Sequence, residues 1–441
     1  MRHPLLPFLA ASVLVTAPAS AQSVLTLDAA TSQAMGGNRA LEAARSGARE
    51  AASRAAEATS GFFPRVSVIE SWQRGNNPVF VFSSLLSSRQ FGAQNFAIDA
   101  LNHPGATGFF HGAAVVDQVL YDGGRTGGGA DMAAQARKLA EAIRDEQALG
   151  LTVDVARAYG RVLRGDAEGK AAAAAVAAAQ EDVSRAERRR DAGSATDADV
   201  LSIKVHLAAM RQRAIQAGGE AAIARAELNR LRGAAIDVDF AVQEPAPPVP
   251  AALPAWTALV AEAEAGRPEL QRGAAAVGMA EAGRRQAKAA WRPQVAAQAA
   301  YQYDGTTFAD RASAWTVGGE VRWSFATGGA AKASVRAASE AEQRARLAHE
   351  DARAAVQVDL RTALSHLESA TAREEVATAT VAQARESQRI VRNRFDAGMA
   401  GVSDVLGAAT AVLDAETFRM SALVDRIEAH AALNRARGRR P

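Results

Sequence analysis

The sequence predicts a mainly α fold with a β-barrel part, built from two copies of a long helical hairpin that each carry one β-hairpin. Three observations point there. The phrase Arg394-Phe395-Asp396-Ala397-Gly398, followed by Asp404-Val405-Leu406, has an earlier counterpart in Arg189-Arg190-Asp191-Ala192-Gly193, followed by Asp199-Val200-Leu201. The differences 398 − 193 and 404 − 199 both equal 205, so the chain is internally duplicated. The hydrophobic share of 48% leans on alanine and the aromatic share is only 5%, a composition that suits close-packed long helices better than ordinary globular cores. Finally, residues 294–325 hold two runs in which apolar and polar side chains alternate with the period of a strand.

The first residues define the compartment. Arg2 supplies a positive end, Leu5 to Val15 an apolar segment, and Ala19-Ser20-Ala21 a small-residue cleavage site. Residues 1–21 therefore read as a secretory signal peptide, with the mature chain starting near Gln22. Beyond them no apolar run approaches the roughly 20 residues of a spanning helix. Any insertion into a bilayer must then use a β-barrel. The chain has no cysteine, which excludes disulfides and thiolate metal sites. Its formal charge of +3, with no basic run interleaved with aromatics, speaks against nucleic acid.

The first copy spans residues 22–242. Leu27 to Gly61 has a helical pattern, ended by Phe62-Phe63-Pro64 because proline cannot continue a helix. A β-hairpin over 65–121 follows. Its strands are Val66 to Trp72, where Glu70 interrupts the apolar face, and Ala113 to Tyr121. Asp122-Gly123-Gly124 turns the second strand into a helix. The glycines from 123 to 129 lack both the Gly-Lys-Ser/Thr ending and the spacing of nucleotide fingerprints, so they read as a turn. A long helix over 129–191 carries Leu149, Val153, Ala156, Gly160 and Leu163 at seam spacing. At 1.5 Å per residue, roughly 60 residues make a rod of about 90 Å. Gly193 closes it and a helix over 196–232 returns. A proline-rich linker, residues 243–254, ends the copy.

The second copy, residues 255–441, repeats this order. A helix from Trp256 to Ala290 ends at Trp291-Arg292-Pro293. The hairpin 294–325 places Val295, Ala297, Ala299, Tyr301 and Tyr303 on one face of its first strand. Trp315, Val317, Val321, Trp323 and Phe325 share one face of its second. An apolar face with Tyr301, Tyr303, Trp315, Trp323 and Phe325 at its margins, backed by a polar one, suits a wall between lipid and water. A soluble sheet packed on a core would alternate in the same way; export favours lipid. Gly328-Gly329 lies 205 residues after Gly123-Gly124, but 293 − 64 is 229, so the first hairpin is longer by 229 − 205 = 24 residues. The surplus falls within 73–110, and the apolar Val79 to Phe82 is expected to fold back on the barrel mouth. A long helix over 330–395 carries Val356, Leu360, Ala363, Leu367 and Ala370 at seam spacing. The last helix, 402–435, starts after Gly398 with Ser403 as its expected cap.

Each copy has one long helix and two of about half its length, so two short helices end to end cover one rod and hide its stripe. Four strands leave two open edges, untenable in lipid. Closure needs further subunits, and three would supply twelve strands, enough for a lumen.

The two proline-led strand starts, Tyr121-Asp122-Gly123-Gly124 and the paired Asp-Ala-Gly…Asp-Val-Leu tips make the chain resemble the TolC family of outer-membrane efflux channels over nearly its whole mature length. The resemblance implies a homotrimer whose 12-stranded barrel sits in the outer membrane of a Gram-negative bacterium, continuous with an α-helical barrel through the periplasm. It implies docking onto a periplasmic adaptor and an inner-membrane pump of RND or ABC type, in a tripartite efflux or type I secretion system. It also implies a periplasmic gate ringed by aspartates. Asp404 matches one ring, Gly407 stands where a second would be, and Asp199 is the first-copy equivalent. The turns at Gly193 and Gly398, with Arg190, Arg394 and Ala397, match the adaptor-docking tips. By itself, an aspartate in the first turn of a helix is explained by the positive end of the helix dipole. Arg188 to Arg190 read as a solvated face, and Asp191 and Asp396 as helix-end residues.

No cofactor, metal or catalytic site is expected. The seven histidines are scattered, and no nucleophile–base or paired-carboxylate arrangement stands out. The competing reading is a periplasmic coiled-coil adaptor or scaffold without a pore, which would share the helical hairpins but lack the strand pairs with aromatic margins.

Overall fold

The structure, a computed structural model, describes residues 24–193, 195–245, 254–324 and 327–439. The expected signal peptide, most of the 243–254 linker and Phe325 lie outside the described residues. Two long helices dominate, α5 (Arg125–Asp191) and α9 (Ala330–Asp396), each of 67 residues. Each is followed by a return helix, α6 (Asp197–Arg232) and α10 (Val402–Ala436). The preceding segments are α1 (Leu27–Gly37) and α2 (Arg39–Thr59) in the first copy, α7 (Trp256–Gly266) and α8 (Pro268–Lys288) in the second.

Those segments correct the expectation of two unbroken helices. Each is split one-third of the way along, at Asn38 and at Arg267. Asn38 takes an extended conformation, accepts the Leu41 N–H on its Oδ1 at 3.0 Å and donates through Nδ2 to the Leu231 carbonyl at 2.8 Å. Arg267 precedes Pro268, whose ring disfavours the helical conformation in the residue before it. Its buried guanidinium binds Glu269 and Asp359. The long helix α5 starts four residues earlier than expected, because Asp122 caps it from outside: Asp122 accepts the N–H groups of Gly124 and Thr126 at 3.0 and 2.6 Å.

Four strands form one antiparallel sheet in the order β2-β3-β5-β6, with β2 at Arg65–Gly75, β3 at Thr107–Tyr121, β5 at Gln294–Gly305 and β6 at Ala312–Arg322. The sixth strand therefore stops short of Trp323. A second, two-residue parallel pair, β1 (Val24–Leu25) with β4 (Ala241–Val242), was not foreseen. The segment between β2 and β3 is structured, with α3 (Pro78–Ser87) and α4 (Ile98–Asn102).

The helices stack as a slab. Next to the sheet the neighbours run α2-α5-α8-α9, and at the far end α6-α5-α10-α9. The subunit is thus four elements wide from one end to the other. Alanine and glycine at the seams allow this closeness. A Cβ on Gly165 would lie 2.9 Å from the Ala221 Cα, and one on Gly160 would meet Val424 at 2.6 Å. The largest cluster of buried side chains joins α1, α5, α6 and α10 at mid-length around Tyr159, whose hydroxyl lies 2.9 Å from the Leu25 carbonyl and 2.7 Å from that of Gln243. One side chain in the rod thereby holds the ends of both β1 and β4.

Candidate functional site: the helical tips and the strand wall

At the far end the two copies close in related ways. Helix α5 ends with Ala192 and the left-handed Gly193 (φ 73°), and α9 ends with Ala397 and Gly398 (φ 74°). Glycine takes this conformation without the steric cost of a side chain. A Cβ at either glycine would meet nothing within 4 Å, so both turns present bare backbone to the surroundings. Arg394 is exposed beside its turn, whereas Arg190 pairs with Asp191 at 2.7 Å.

Both tip aspartates sit in the first turn of a return helix and cap it. Asp199 accepts the Thr196 N–H at 2.9 Å and its hydroxyl at 2.8 Å, and these bonds hold its carboxyl below the usual aspartate range. Asp404 accepts the Gly401 N–H at 2.9 Å. Gly401, and not Ser403, is the N-cap of α10; Ser403 lies inside the first turn. Asp404 is exposed and Asp199 partly so, and both carboxylates lie beside the turn between helices.

The tips are also tied to each other, which the sequence did not reveal. Arg185 of α5 binds Asp396 of α9 at 2.8 Å. Arg189 donates to the Phe395 carbonyl at 3.3 Å and lies 4.6 Å from the centre of its ring. Arg189 is therefore no part of a solvated face, and Asp396 is more than a helix end. Behind them Ala186, Val200 and Ile203 form a small core against which Val402 of the other copy packs. Higher up, Arg392 approaches the half-buried Asp182 at 3.7 Å; burial raises the Asp182 pKa against the pull of Arg392 and Arg185.

The sheet has two unlike faces. In register, Val66, Val116, Ala299 and Val317 form one row across all four strands. The same face carries Val68, Trp72, Tyr301, Tyr303, Trp315 and Val321, most of them exposed. Tyr301 lies directly opposite Trp315, and its ring is 5.0 Å from that of Tyr303. These three mark the end near the β5–β6 turn. Trp323 marks the other end, donating its ring N–H to the Trp291 carbonyl at 3.2 Å. The opposite face presents Ser67, Gln73, His111, Asp117, Gln298, Gln302 and Thr316, with Gln298 bonded to Asp117 at 2.7 Å. Glu70 does fall on the apolar face, but not as a bare charge. Arg311 from the β5–β6 turn grips both its oxygens at 2.7 and 3.0 Å and lies 4.3 Å from the Phe308 ring centre. Gly112 leaves the room: a Cβ there would be 2.8 Å from Glu70.

Among the described residues no helix is long and apolar enough to cross a membrane, and no group of three or more histidines and carboxylates could hold a metal ion. A four-stranded sheet with an aromatic-bounded apolar face, set on helices that end in capped turns, is one stave of a membrane conduit. The sequence profile described as "Outer membrane efflux protein" matches residues 30–234 and 259–439. The chain belongs to that family, whose role is that of an outer-membrane channel in efflux. No curated protein sequence matches it significantly. Among solved structures, the outer-membrane channel OprN superposes with a TM-score of 0.78 at 21% identity, covering 93% of this chain and 89% of that one. The Campylobacter jejuni outer membrane channel CmeC gives 0.81 at 14% identity, over 93% and 85%. The open state of the Neisseria gonorrhoeae channel MtrE gives 0.73 at 18%, over 94% and 89%. These likenesses show the same fold.

Proposed function

We infer that three copies of this chain form a conduit from the periplasm through the outer membrane of a Gram-negative bacterium, as the channel of a tripartite efflux or type I secretion system. The observation that carries this reading is the pair of unsatisfied edges on each subunit. Among the described residues, strands β2 and β6 each have one partner only, and open strand edges are untenable in hydrocarbon. The helices beneath show the same incompleteness. Leu201, Val205 and Ile215 of α6, at one border of the slab, are exposed, as are Val358, Val376 and Ile390 of α9 at the other. Joining β6 to β2 and α9 to α6 of a neighbour covers all of these surfaces at once. Three copies give twelve strands.

In this conduit the lumen is lined by the polar sheet face, and the tips form its periplasmic entrance. Asp404 and Asp199 would repeat around the threefold axis as rings of carboxylate, which attract cations and bias conduction. The bare turns at Gly193 and Gly398, with Arg190, Arg394 and Ala397 beside them, form the docking surface for a periplasmic adaptor, through which an inner-membrane pump delivers cargo. Transport and not catalysis is the function. A pore-free adaptor would share the helices but has no use for a sheet with one polar and one aromatic-bounded face.

Purified protein in planar bilayers tests the gate. The parent should conduct little and favour cations. Asp404→Asn retains an acceptor for the Gly401 N–H while removing the charge, so it should reduce cation preference without loosening the turn. Asp404→Ala should reduce it and raise conductance as well. An unchanged reversal potential in a salt gradient for both variants would remove Asp404 from the pore, and no conductance from any variant would remove the conduit.

A further inference from the structure

Each subunit offers two strand edges, and the rows of the sheet restrict how they can meet. The row through Val66 crosses Val116 and Ala299 to reach Val317. Glu70 is the middle residue of β2 (Arg65–Gly75), and Val317 is that of β6 (Ala312–Arg322). Over three strand-to-strand steps the row therefore climbs to mid-strand from 70 − 66 = 4 residues below it. A fourth step on the same slope meets the next subunit's β2 above its middle.

Two conditions narrow the landing point. The apolar faces of neighbouring subunits must coincide, and a slip of one residue turns every side chain over. Val317 can therefore oppose only a residue on the face of Val66. A strand spacing of about 4.8 Å and a rise of about 3.4 Å per residue then set the tilt of a twelve-stranded wall built from three equal parts. Opposing Val317 to Val68 of the partner subunit, the partner's Glu70, the partner's Trp72 or the partner's Arg74 gives roughly 20°, 35°, 45° or 55°, and barrel strands tilt by about 35–45°. The partner's Glu70 and the partner's Trp72 remain. With the first of these as the landing point, a carboxylate would face Val317, and Arg322 would lie directly opposite the partner's Arg65, like charge on like.

We propose that β6 joins β2 of the partner subunit with Val317 opposite the partner's Trp72, a register selected by side chains left unmatched within each subunit. This rests on the trimeric-channel reading above. The Arg74 side chain, exposed at the outer end of the apolar face, has no hydrogen bond, ion pair or ring contact among the described residues. In this register the partner's Arg74 comes opposite Trp315, which is 74% exposed, and an indole is the most favourable ring for a guanidinium. The partner's Glu70 comes opposite Gly319, just as Glu70 faces Gly112 within its own subunit. A glycine on either side leaves room for the ion pair with Arg311, and a Cβ at Gly319 would touch only the Ala296 carbonyl, at 3.6 Å. The partner's Val68 comes opposite Val321, joining two valines that are exposed in the single subunit. Arg322 moves to the partner's Ser67 and away from like charge. Of the two admissible registers this one tilts the strands more and so makes the wider wall.

The chain lacks cysteine, so paired substitutions report cleanly in the full-length protein in outer membranes. Val68→Cys with Val321→Cys should form covalent multimers on mild oxidation at least about tenfold faster than Val66→Cys with Val321→Cys, because directly opposed residues bring their Cα atoms within the roughly 4.4–6.8 Å of a disulfide. In the alternative register the partner's Val66 stands opposite Val321, and the order of the two rates reverses. Arg74→Ala and Trp315→Ala should each lower the temperature at which the detergent-extracted trimer dissociates, and the double variant should lose hardly more than the worse of the two, the mark of a shared contact. If the protein is a trimer by mass but the first cysteine pair crosslinks no faster than the second, the register is wrong while the conduit stands. Additive losses would remove the pairing of Trp315 with the partner's Arg74. A monomer by mass would overturn both register and conduit.

Discussion

Cutting the tie between the tips should open the periplasmic entrance. The double variant Arg185→Ala, Arg189→Ala removes every contact that these two side chains make from α5 to the end of α9. The Arg185–Asp396 pair is more than a third exposed on both sides, so solvent screening holds its worth to about 0.2–1 kcal/mol. The stacking of Arg189 on Phe395 adds about 0.5–1 kcal/mol. Its bond to the Phe395 carbonyl is long at 3.3 Å and stands near the lower end of the range, roughly 0.5 kcal/mol. Together these come to about 1.2–2.5 kcal/mol per subunit, a shift of roughly 7- to 60-fold in the closed-to-open equilibrium of each tip. The fold itself should hold, because the seams of α5 and α9 are untouched. Single-channel recording should show longer or wider openings than the parent. Arg137→Ala is the control: Arg137 binds Glu141 one turn along its own helix at 2.8 Å, far from the tips, and its loss should leave conduction unchanged. A double variant that remains trimeric and conducts like the parent would refute the argument that these contacts hold the tips together.

Three further outcomes follow from the same geometry. Tyr159→Phe leaves the carbonyls of Leu25 and Gln243 and the Gln243 N–H without their partner around a fully buried ring, and should lower unfolding free energy by about 1–3 kcal/mol, read as a lower denaturant midpoint at constant slope. His206 is held below its ordinary value of 6.5 chiefly by burial, with Asp182 opposing and Arg213 adding. The unfolded chain therefore binds a proton that the folded chain resists as pH falls through that value. The stability in question is present above pH 6.5 and lost on acidification, and His206→Gln should flatten this part of the thermal-midpoint profile; Asp182, raised by burial, works in the opposite sense. Gly123→Ala places a Cβ 2.7 Å from that of Arg292 and 2.9 Å from the Ala289 carbonyl, at φ 72°, so it should reduce the yield of assembled channel in membranes well below that of Gly105→Ala, where a Cβ meets nothing.

The duplicated architecture was legible because its signals are local and repeated: breaker residues at a common offset, period-2 alternation in β5 and β6, and seam positions such as Val356 and Leu360 that are indeed buried. The breaks at Asn38 and Arg267 were missed for different reasons. Arg267 precedes a proline and could have been read from that alone. Asn38 needed a distant partner, the Leu231 carbonyl 193 residues away. The tip contacts are equally non-local. Arg189 and Phe395 occupy nearly corresponding places in the two copies, and a repeat shows what is alike without showing that one copy touches the other. Glu70 looked like a flaw in a lipid-facing strand because Arg311, which neutralises it, lies 241 residues away. The direction in which α3 folds depends on which sheet face it covers, and that is known only once the register of β3 against β5 is known.

The junctions between strands and helices explain why glycine and proline recur there. In the proposed trimer, twelve helices about 9 Å apart would lie on a circle of radius about 17 Å. Its twelve strands, at little more than half that spacing, would lie on one of about 12 Å. Every chain segment entering or leaving the sheet must therefore step sideways by about 5 Å within a few residues, a shift that neither a continuing helix nor a continuing strand can make. On the way in, Pro64 and Pro293 end the helix at once. On the way out, two successive left-handed glycines turn the chain, Gly123 and Gly124 at φ 72° and 92°, Gly328 and Gly329 at 56° and 82°. Arg292, beside one of the prolines, donates to the Gly123 carbonyl at 3.0 Å, so the entry of the second copy braces the exit of the first. The taper of the conduit is written into these four turns, and the common offset of the glycine pairs and the tips follows because each copy must make the same step over a rod of the same length.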